Sequence, residues 1–182
     1  MKNIYESILS SVKAGKQAFL EDPELFAKEY LKLNDRQYFV SKGFLFIVNF
    51  PQKTFVIDKD FPDIKFKISQ VGCVNNSHII IKDISVFNKY FGTMWGTPVK
   101  IGYHILNTKS TTYIQDPEFV STSPNDFSQM FEIEGNLVID KAKRINWAKF
   151  PDIDGDITIN AKNIKELYLP VMDRTNIIKI KR

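Results

Sequence analysis

Cysteine is nearly absent from this sequence, which has one such residue, Cys73, in 182. A single thiol excludes both an internal disulfide framework and a zinc site built on cysteines. We interpret Cys73 as a buried thiol in a protein of a reducing compartment. The class of small, disulfide-stabilised secreted domains is therefore excluded.

Long hydrophobic segments are also lacking. The longest apolar run, Phe44 to Val48, is far too short to span a bilayer. The opening MKNIYESILSS lacks the basic start and continuous apolar stretch of a secretory signal, and Glu6 interrupts it. We expect a protein of the cytosol, or one packaged with something made in a cytosol, with no membrane partner.

Glycine and proline are few, with eight residues each, whereas there are fifteen phenylalanines and seven tyrosines. Aromatic and β-branched residues suit a pleated, half-buried surface, so the composition favours β-sheet. A hydrophobic content of 43% with 25% charged residues is typical of a folded chain. The length fits one domain with an appendage.

The positive charge is concentrated in the last quarter of the chain. Residues 141–182 contain ten lysines and arginines against five acidic residues, which accounts for the whole net charge of +4. A basic segment of this kind can bind phosphate or an acidic partner, or it can simply be solvated strand faces.

Two helices are predicted at the N-terminus. Asn3 is a candidate cap for the first, with Glu6 three residues later and apolar residues recurring on one face until Gly15. Asp22-Pro23-Glu24 marks the start of the second, because an acceptor, a proline and an acidic first turn suit a helix N-terminus. We divide the chain into a helical segment, 1–36, and a β-rich domain, 37–182.

Period-two patterns follow from Tyr38 onward and predict strands. The sequence favours an α+β fold, in which two N-terminal helices precede a mainly antiparallel sheet. Residues 85–91 suit a short helix or an irregular bridge. Residues 107–128 are rich in polar residues and predict one long connection. The predicted strands lie near residues 44–48, 54–58, 65–69, 78–82 and 99–106.

A quasi-repeat occupies residues 134–182. The stretches that begin at Gly135 and Gly155 share one pattern twenty residues apart, and a truncated copy begins at Asn176. The tetrapeptide Phe-Pro-Asp-Ile also occurs twice, at 61–64 and 150–153. This spacing suits a leucine-rich-repeat-like coil or a β-solenoid. A β-meander with evenly spaced strands remains the alternative.

The sequence contains incomplete forms of two binding motifs, one for phosphate and one for calcium. The Gly15-Lys16 pair lacks both the preceding glycine and the following serine or threonine of a phosphate loop. The stretch from Asp152 to Asp156 resembles the opening of a calcium loop, but Ile157 and Asn163 stand where the EF-hand needs glycine and glutamate. We therefore interpret 152–156 as a turn between strands.

No catalytic or metal-binding pattern stands out elsewhere, and we predict no catalytic residue, no metal ligand and no cofactor. His78 and His104 are the only histidines, and half-buried strand positions explain them. Cys73 and His78 lack a third group that would support nucleophilic catalysis. Carboxylates that converge from distant strands would leave no linear pattern, but a non-enzymatic role is favoured.

The basic segment supplies the candidate binding residues. Lysines and arginines there can line one surface, with two aromatic side chains available for stacking on bases. No nucleic-acid-binding module matches, and aromatic residues at such spacings more often belong to a core. The candidates are Lys141, Lys143, Arg144, Trp147, Lys162, Lys165, Tyr168 and Arg174.

Two stretches resemble small accessory and virion proteins encoded by tailed bacteriophages. Residues 4–11, IYESILSS, followed by Ala14-Gly15-Lys16, resemble the start of many such proteins, and residues 150–167 look like one of their degenerate leucine-rich-like repeats. The resemblance covers about thirty residues and not the segment 38–130. It implies an accessory protein of the virion or the host cytoplasm.

The resemblance and the composition together predict a protein-binding function. The partner would be a phage structural protein or a host factor, contacted through the 107–128 connection, an exposed sheet or the basic segment. The alternative is nucleic-acid binding through the basic segment. The first helix is similar in kind to capsid-targeting peptides of phage internal proteins, although packing on the domain is the simpler interpretation.

Overall fold

A computed structural model of the chain describes residues 21–50, 54–73, 77–91, 99–102, 110–116, 125–126, 131–149, 151–169 and 177–182. The first predicted helix and the Gly15-Lys16 pair lie outside these residues. The described helices are short: α1 (Pro23–Leu25) continues as a π-helical turn (Phe26–Tyr30), α2 spans Ile84–Tyr90, and a 3-10 turn spans Ala161–Asn163.

Most of the described chain is strand, and many strands are only three or four residues long. In chain order they are β1 (Tyr38–Ser41), β2 (Phe44–Phe50), β3 (Thr54–Ile57), β4 (Lys67–Cys73), β5 (His78–Ile81), β6 (Val99–Ile101), β7 (Thr111–Ile114), β8 (Asn125–Asp126), β9 (Phe131–Ile133), β10 (Asn136–Ile139), β11 (Arg144–Lys149), β12 (Asp152–Ile153), β13 (Ile157–Asn160), β14 (Glu166–Tyr168) and β15 (Ile178–Lys181).

The strands form three sheets in the manner of a β-solenoid. Sheet 1 has the order β1-β2-β4-β6-β9-β12, sheet 2 the order β15-β13-β10-β7-β5-β3, and sheet 3 the order β14-β11-β8. Each coil contributes a strand to sheet 1 and then one to sheet 2, and the later coils add one to sheet 3. The repeat interpretation is confirmed at this level, and the meander is excluded.

The predicted fold class, with two N-terminal helices before a mainly antiparallel sheet, is wrong. Among the described residues the β1–β2 hairpin is the one antiparallel pair, and every other strand pair is parallel. Alternation reveals the two faces of a strand but not the direction of its neighbours. In a solenoid the chain returns to the same edge only after a full coil, so neighbouring strands run in parallel.

The twenty-residue quasi-repeat corresponds to one coil. Leu137 pairs with Ile157, which pairs in turn with Ile178, so the three copies lie in register in sheet 2. Gly135 and Gly155 occupy the same corner of successive coils. A Cβ atom on Gly155 would lie 2.2 Å from the Gly135 carbonyl oxygen, so Gly155 has no room for a side chain.

Inside sheet 2, one register position forms a column of isoleucines that runs through all six strands. Its first five members have no exposed surface, whereas Ile180 is 51% exposed. Like residues stacked in this way bury their apolar surface only against the neighbouring coil. The column consists of Ile57, Ile81, Ile114, Ile139, Ile159 and Ile180.

The β3 end of the solenoid is covered by aromatic residues. Asp22 caps α1 by accepting hydrogen bonds from the Glu24 and Leu25 amides, at 2.9 and 3.1 Å, which confirms the predicted helix start. The helix brings Phe26 against Phe61, with ring centroids 5.9 Å apart, and Phe61 lies 6.2 Å from Phe55 of β3. This packing covers the inward-facing residues of the edge strand β3, Phe55 and Ile57.

Two other predictions have opposite outcomes. The short helix near residues 85–91 is confirmed as α2. The single long connection over 107–128 is wrong, because β7 and the short β8 fall within it. The threonines of β7 suggested a polar loop, but Thr112 points inward and is only 3% exposed.

Candidate binding face

Sheet 3 brings together basic residues that are about twenty positions apart in the chain. Arg144 of β11 pairs in register with Glu166 of β14. The Lys165 amide donates to the Lys143 carbonyl at 2.8 Å, which sets these two lysines on adjacent coils. Lys143, Arg144 and Lys165 are all exposed, so a positive cluster lies at the start of sheet 3.

Lys141 and Lys162 lie at equivalent corners of successive coils. Lys141 follows β10 and has a left-handed backbone, with φ 63°, while Lys162 lies in the 3-10 turn after β13. Both are exposed. Arg174 lies outside the described residues. We define the basic face as the exposed set Lys141, Lys143, Arg144, Lys162, Lys165 and Tyr168.

The two aromatic candidates have opposite environments. Alternation along β11 turns Ile145 and Trp147 inward, and Trp147 is 2% exposed. Tyr168 of β14 is 63% exposed and stands beside Asn146 in the ladder. Tyr168 is therefore available to a ligand at the surface, and Trp147 is a core residue.

The basic face also contains acidic neighbours. The Arg144 Nε atom lies 3.5 Å from the Glu166 Oε1 atom, and both side chains are about half exposed. At such exposure an ion pair contributes little to stability. The consequence for the basic face is that it carries one negative side chain, Glu166, next to its positive ones.

An acidic group that the sequence analysis missed lies on sheet 1. Glu132 pairs with Asp152 across β9 and β12, and Glu134 and Asp154 follow at the next corner. These four carboxylates line a depression of about 370 Å³ together with Lys100. The twenty-residue offset of 132 to 152, and of 134 to 154, was the signal that could have revealed it.

Lys100 is the cation of that depression. It forms an ion pair with Glu134. The hydrogen bond within this pair raises the pKa of Lys100, and partial burial acts in the opposite direction with a smaller effect. Glu132 and Asp154 also favour its charged form. The last coils thus carry negative charge on sheet 1 and positive charge at sheet 3.

Residues 154–156 form the predicted turn between strands, whereas Asp152 and Ile153 form β12. Asp154 accepts a hydrogen bond from the Gly135 amide at 2.7 Å, and Asp156 lies 3.2 Å from the Lys179 ammonium. The Asp156 amide in turn donates to Asn136 Oδ1 at 3.0 Å. The carboxylates therefore tie successive coils together.

The two histidines are the remaining candidate residues. His78 is half-buried in β5, with its ring edge-on to Tyr113 at 5.5 Å, and His104 lies outside the described residues. Within the ranges that the structure describes, no three histidine, cysteine, aspartate or glutamate side chains are arranged to hold a metal ion. In the same ranges no helix has the length and apolar character needed to cross a membrane.

Comparison of the chain with known proteins found no matching family model, no matching curated sequence and no matching solved structure.

Proposed function

We propose that this protein is a non-enzymatic binding module, and that its basic face recognises another protein. The observation that carries the proposal is the composition of this face: exposed cations from adjacent coils lie on the sheet that also carries the exposed Tyr168 and Glu166. Tyrosine and arginine are enriched where proteins bind one another. The parallel strands of sheet 3 fix the spacing of the backbone positions from which Arg144 and Tyr168 project.

Mixed charge favours a protein partner over nucleic acid. A phosphate backbone is uniformly negative, so Glu166 within the face and the carboxylates of sheet 1 on the same coils would repel it. A protein partner can place complementary charges of both signs. Binding of nucleic acid remains the second candidate, because exposed Tyr168 beside lysines is also suited to stacking on a base.

On the sequence resemblance alone, we extend the proposal to a phage-encoded accessory protein. Its partner would be a structural protein of the particle or a factor of the host cell. The resemblance rests on residues 4–16 and 150–167 and stays a prediction.

Charge reversal on the basic face tests the proposal. The variant Lys162→Glu/Lys165→Glu is compared with Lys59→Glu/Lys82→Glu, which makes the same change in net charge at exposed sites elsewhere. Quantitative mass spectrometry of pull-downs from host and infected lysates should identify a protein that the wild type and the control retain and the first variant loses. Loss from both variants, or from neither, would contradict a role for this face.

A parallel titration separates the second candidate. Fluorescence anisotropy with single-stranded DNA and RNA should show weak binding that is alike in both variants. Binding that falls steeply with salt and is lost in Lys162→Glu/Lys165→Glu alone would instead support the nucleic-acid function.

A further inference from the structure

Strand β15 is paired along one edge. It lies at the end of sheet 2 and pairs with β13, with Ile178 opposite Ile157 and Ile180 opposite Ile159. No described strand occupies its other edge. An unpaired edge exposes backbone donors and acceptors that can accept an additional strand.

The geometry of the pairing shows which backbone groups face the open edge. The Ile157 amide donates to the Ile177 carbonyl at 3.1 Å. Because backbone groups of successive residues point to opposite sides of a strand, Ile177, Lys179 and Lys181 direct theirs toward β13. The N–H and C=O groups of Ile178 and Ile180 therefore point away from the sheet.

The apolar interior is also open at this end. Ile159 has no exposed surface, whereas its column neighbour Ile180 is 51% exposed. At the opposite end of the column, Ile57 of the edge strand β3 has no exposed surface. The isoleucine at one end of the column is therefore fully buried, and the one at the other end is half exposed. This leaves apolar surface for a ligand beside the open edge.

The charge of the strand limits what can bind there. Lys179 and Lys181 alternate with the isoleucines and lie on the outer face, beside Thr158 and Asn160 of β13, and Arg182 follows. Lys179 also pairs with Asp156 at 3.2 Å, so Lys181 and Arg182 are the main cations of this strand end. A second copy of this chain, paired through the same edge, would set lysines near lysines, which is unfavourable. Edge lysines are a known protection against such self-pairing. A strand with acidic residues on its outer face would complement them.

We propose that the open edge of β15 binds an extended segment of a partner protein, in which apolar and acidic residues alternate. The apolar side chains would cover Ile178 and Ile180, and the acidic ones would lie beside Lys179 and Lys181. The main chain of the segment would bond to the outward groups of Ile178 and Ile180, as in other cases of strand addition. The inference rests on the proposed protein-binding function but uses a different surface.

The test uses the full chain and a fluorescein-labelled peptide of alternating valine and glutamate, with a valine–lysine peptide as the control probe. Ile180→Pro removes the outward N–H without removing a hydrogen bond to β13, and Ile180→Val keeps that N–H. By fluorescence anisotropy, Ile180→Pro should bind the acidic peptide about tenfold more weakly than Ile180→Val, as expected for a lost hydrogen bond. The two variants should melt at similar temperatures.

A second variant tests the charge rule without proline. Lys181→Glu should weaken binding of the glutamate peptide and strengthen binding of the lysine peptide. Equal binding of both peptides by the wild type, or equal affinities of Ile180→Pro and Ile180→Val, would overturn the proposal. A wild-type dimer that Ile180→Pro converts to a monomer would overturn it in favour of a second copy.

The same titration separates this inference from the function on which it rests. If Lys162→Glu/Lys165→Glu loses the acidic peptide and Ile180→Pro keeps it, the edge proposal is wrong and the basic face stands as the binding site. If the peptide behaves as expected at β15 while the pull-down partner is insensitive to the basic face, the proposed use of that face fails and the edge proposal stands.

Discussion

At the scale of single residues, Gly155 and Gly43 are each required for a different reason, one steric and the other conformational. Gly155 has no left-handed backbone, but a Cβ atom there would lie 2.2 Å from the Gly135 carbonyl oxygen. Gly43 has φ +78° and nothing within 4 Å of the same atom. One position therefore needs glycine for space, and the other needs it for backbone conformation.

We expect Gly155→Ala to lower the free energy of unfolding by about 2–4 kcal/mol, since backbone must move to relieve the overlap. Gly43→Ala should cost about 1 kcal/mol, from the left-handed conformation alone. Urea denaturation of both variants measures the difference. An equal cost for the two would show that the coils at Gly155 separate without penalty.

A second residue-scale prediction concerns Asp83, which caps α2. Its carboxylate accepts from the Val86 amide at 3.1 Å and from the Ser85 hydroxyl, and the hydrogen bond from Ser85 is the largest cause of its lowered pKa. Asp83→Ala should cost about 1 kcal/mol near neutral pH. Exposed Asp60, replaced by alanine, is the control.

The pH dependence of that effect follows from the direction of the shift. A carboxyl group whose folded-state pKa is lowered stabilises the fold above its ordinary value of 3.8 and loses this contribution as the pH falls through the folded-state value. The gap between the wild type and Asp83→Ala should therefore shrink in denaturation curves recorded at acid pH. A gap that is constant with pH would contradict a role for the ionised carboxylate.

Sequence reasoning named the residues of the basic face but could not separate the exposed ones from the buried one. The charge surplus of 141–182 identified Lys143, Arg144 and Lys165, which the structure brings together. It could not separate Trp147 from Tyr168, because burial depends on which way β11 and β14 turn in the coil. Glu166 was absent from the prediction because its pairing with Arg144 follows from the register of two parallel strands.

At the scale of elements, the isoleucine column provides a matched pair of substitutions. Ile159→Ala removes a side chain with no exposed surface and should cost about 2–5 kcal/mol through the cavity it leaves. Ile180→Ala, at the half-exposed end of the same column, should cost less than about 1 kcal/mol. Equal losses in chemical denaturation would mean that another part of the molecule covers Ile180.

Strands were predictable as elements, but their arrangement was not. The alternating patterns near residues 44, 54 and 78 correspond to β2, β3 and β5. Along the isoleucine column, register partners are 24 residues apart from β3 to β5, 33 from β5 to β7, where α2 intervenes, and 25 from β7 to β10. Only the last coils keep a spacing near twenty, with 20 and 21 residues. The repeat is therefore legible in the C-terminal third alone, and alternation in the rest does not reveal the direction of neighbouring strands.

At the scale of the whole molecule, contacts run mainly between neighbouring coils. In such a structure the central coils are held from both sides and the terminal ones from one side. We expect amide hydrogen exchange to be slowest in β7 and β10 and fastest in β15. Within β15, the Lys179 amide should exchange more slowly than that of Ile180, because it points toward β13. Uniform protection would contradict this graded stability.

The contact between Gly135 and Gly155 limits how the solenoid can be lengthened, because coils can be added only as whole repeats. Gly155 rests on Gly135 with no room for a Cβ atom, so a coil inserted between these two glycines needs a glycine at that place, and a copy of residues 137–156 supplies one. Each such copy would add one strand spacing, about 4.8 Å, to the long axis. The distance between the covered β3 end and the basic, open β15 end is therefore set by the number of coils.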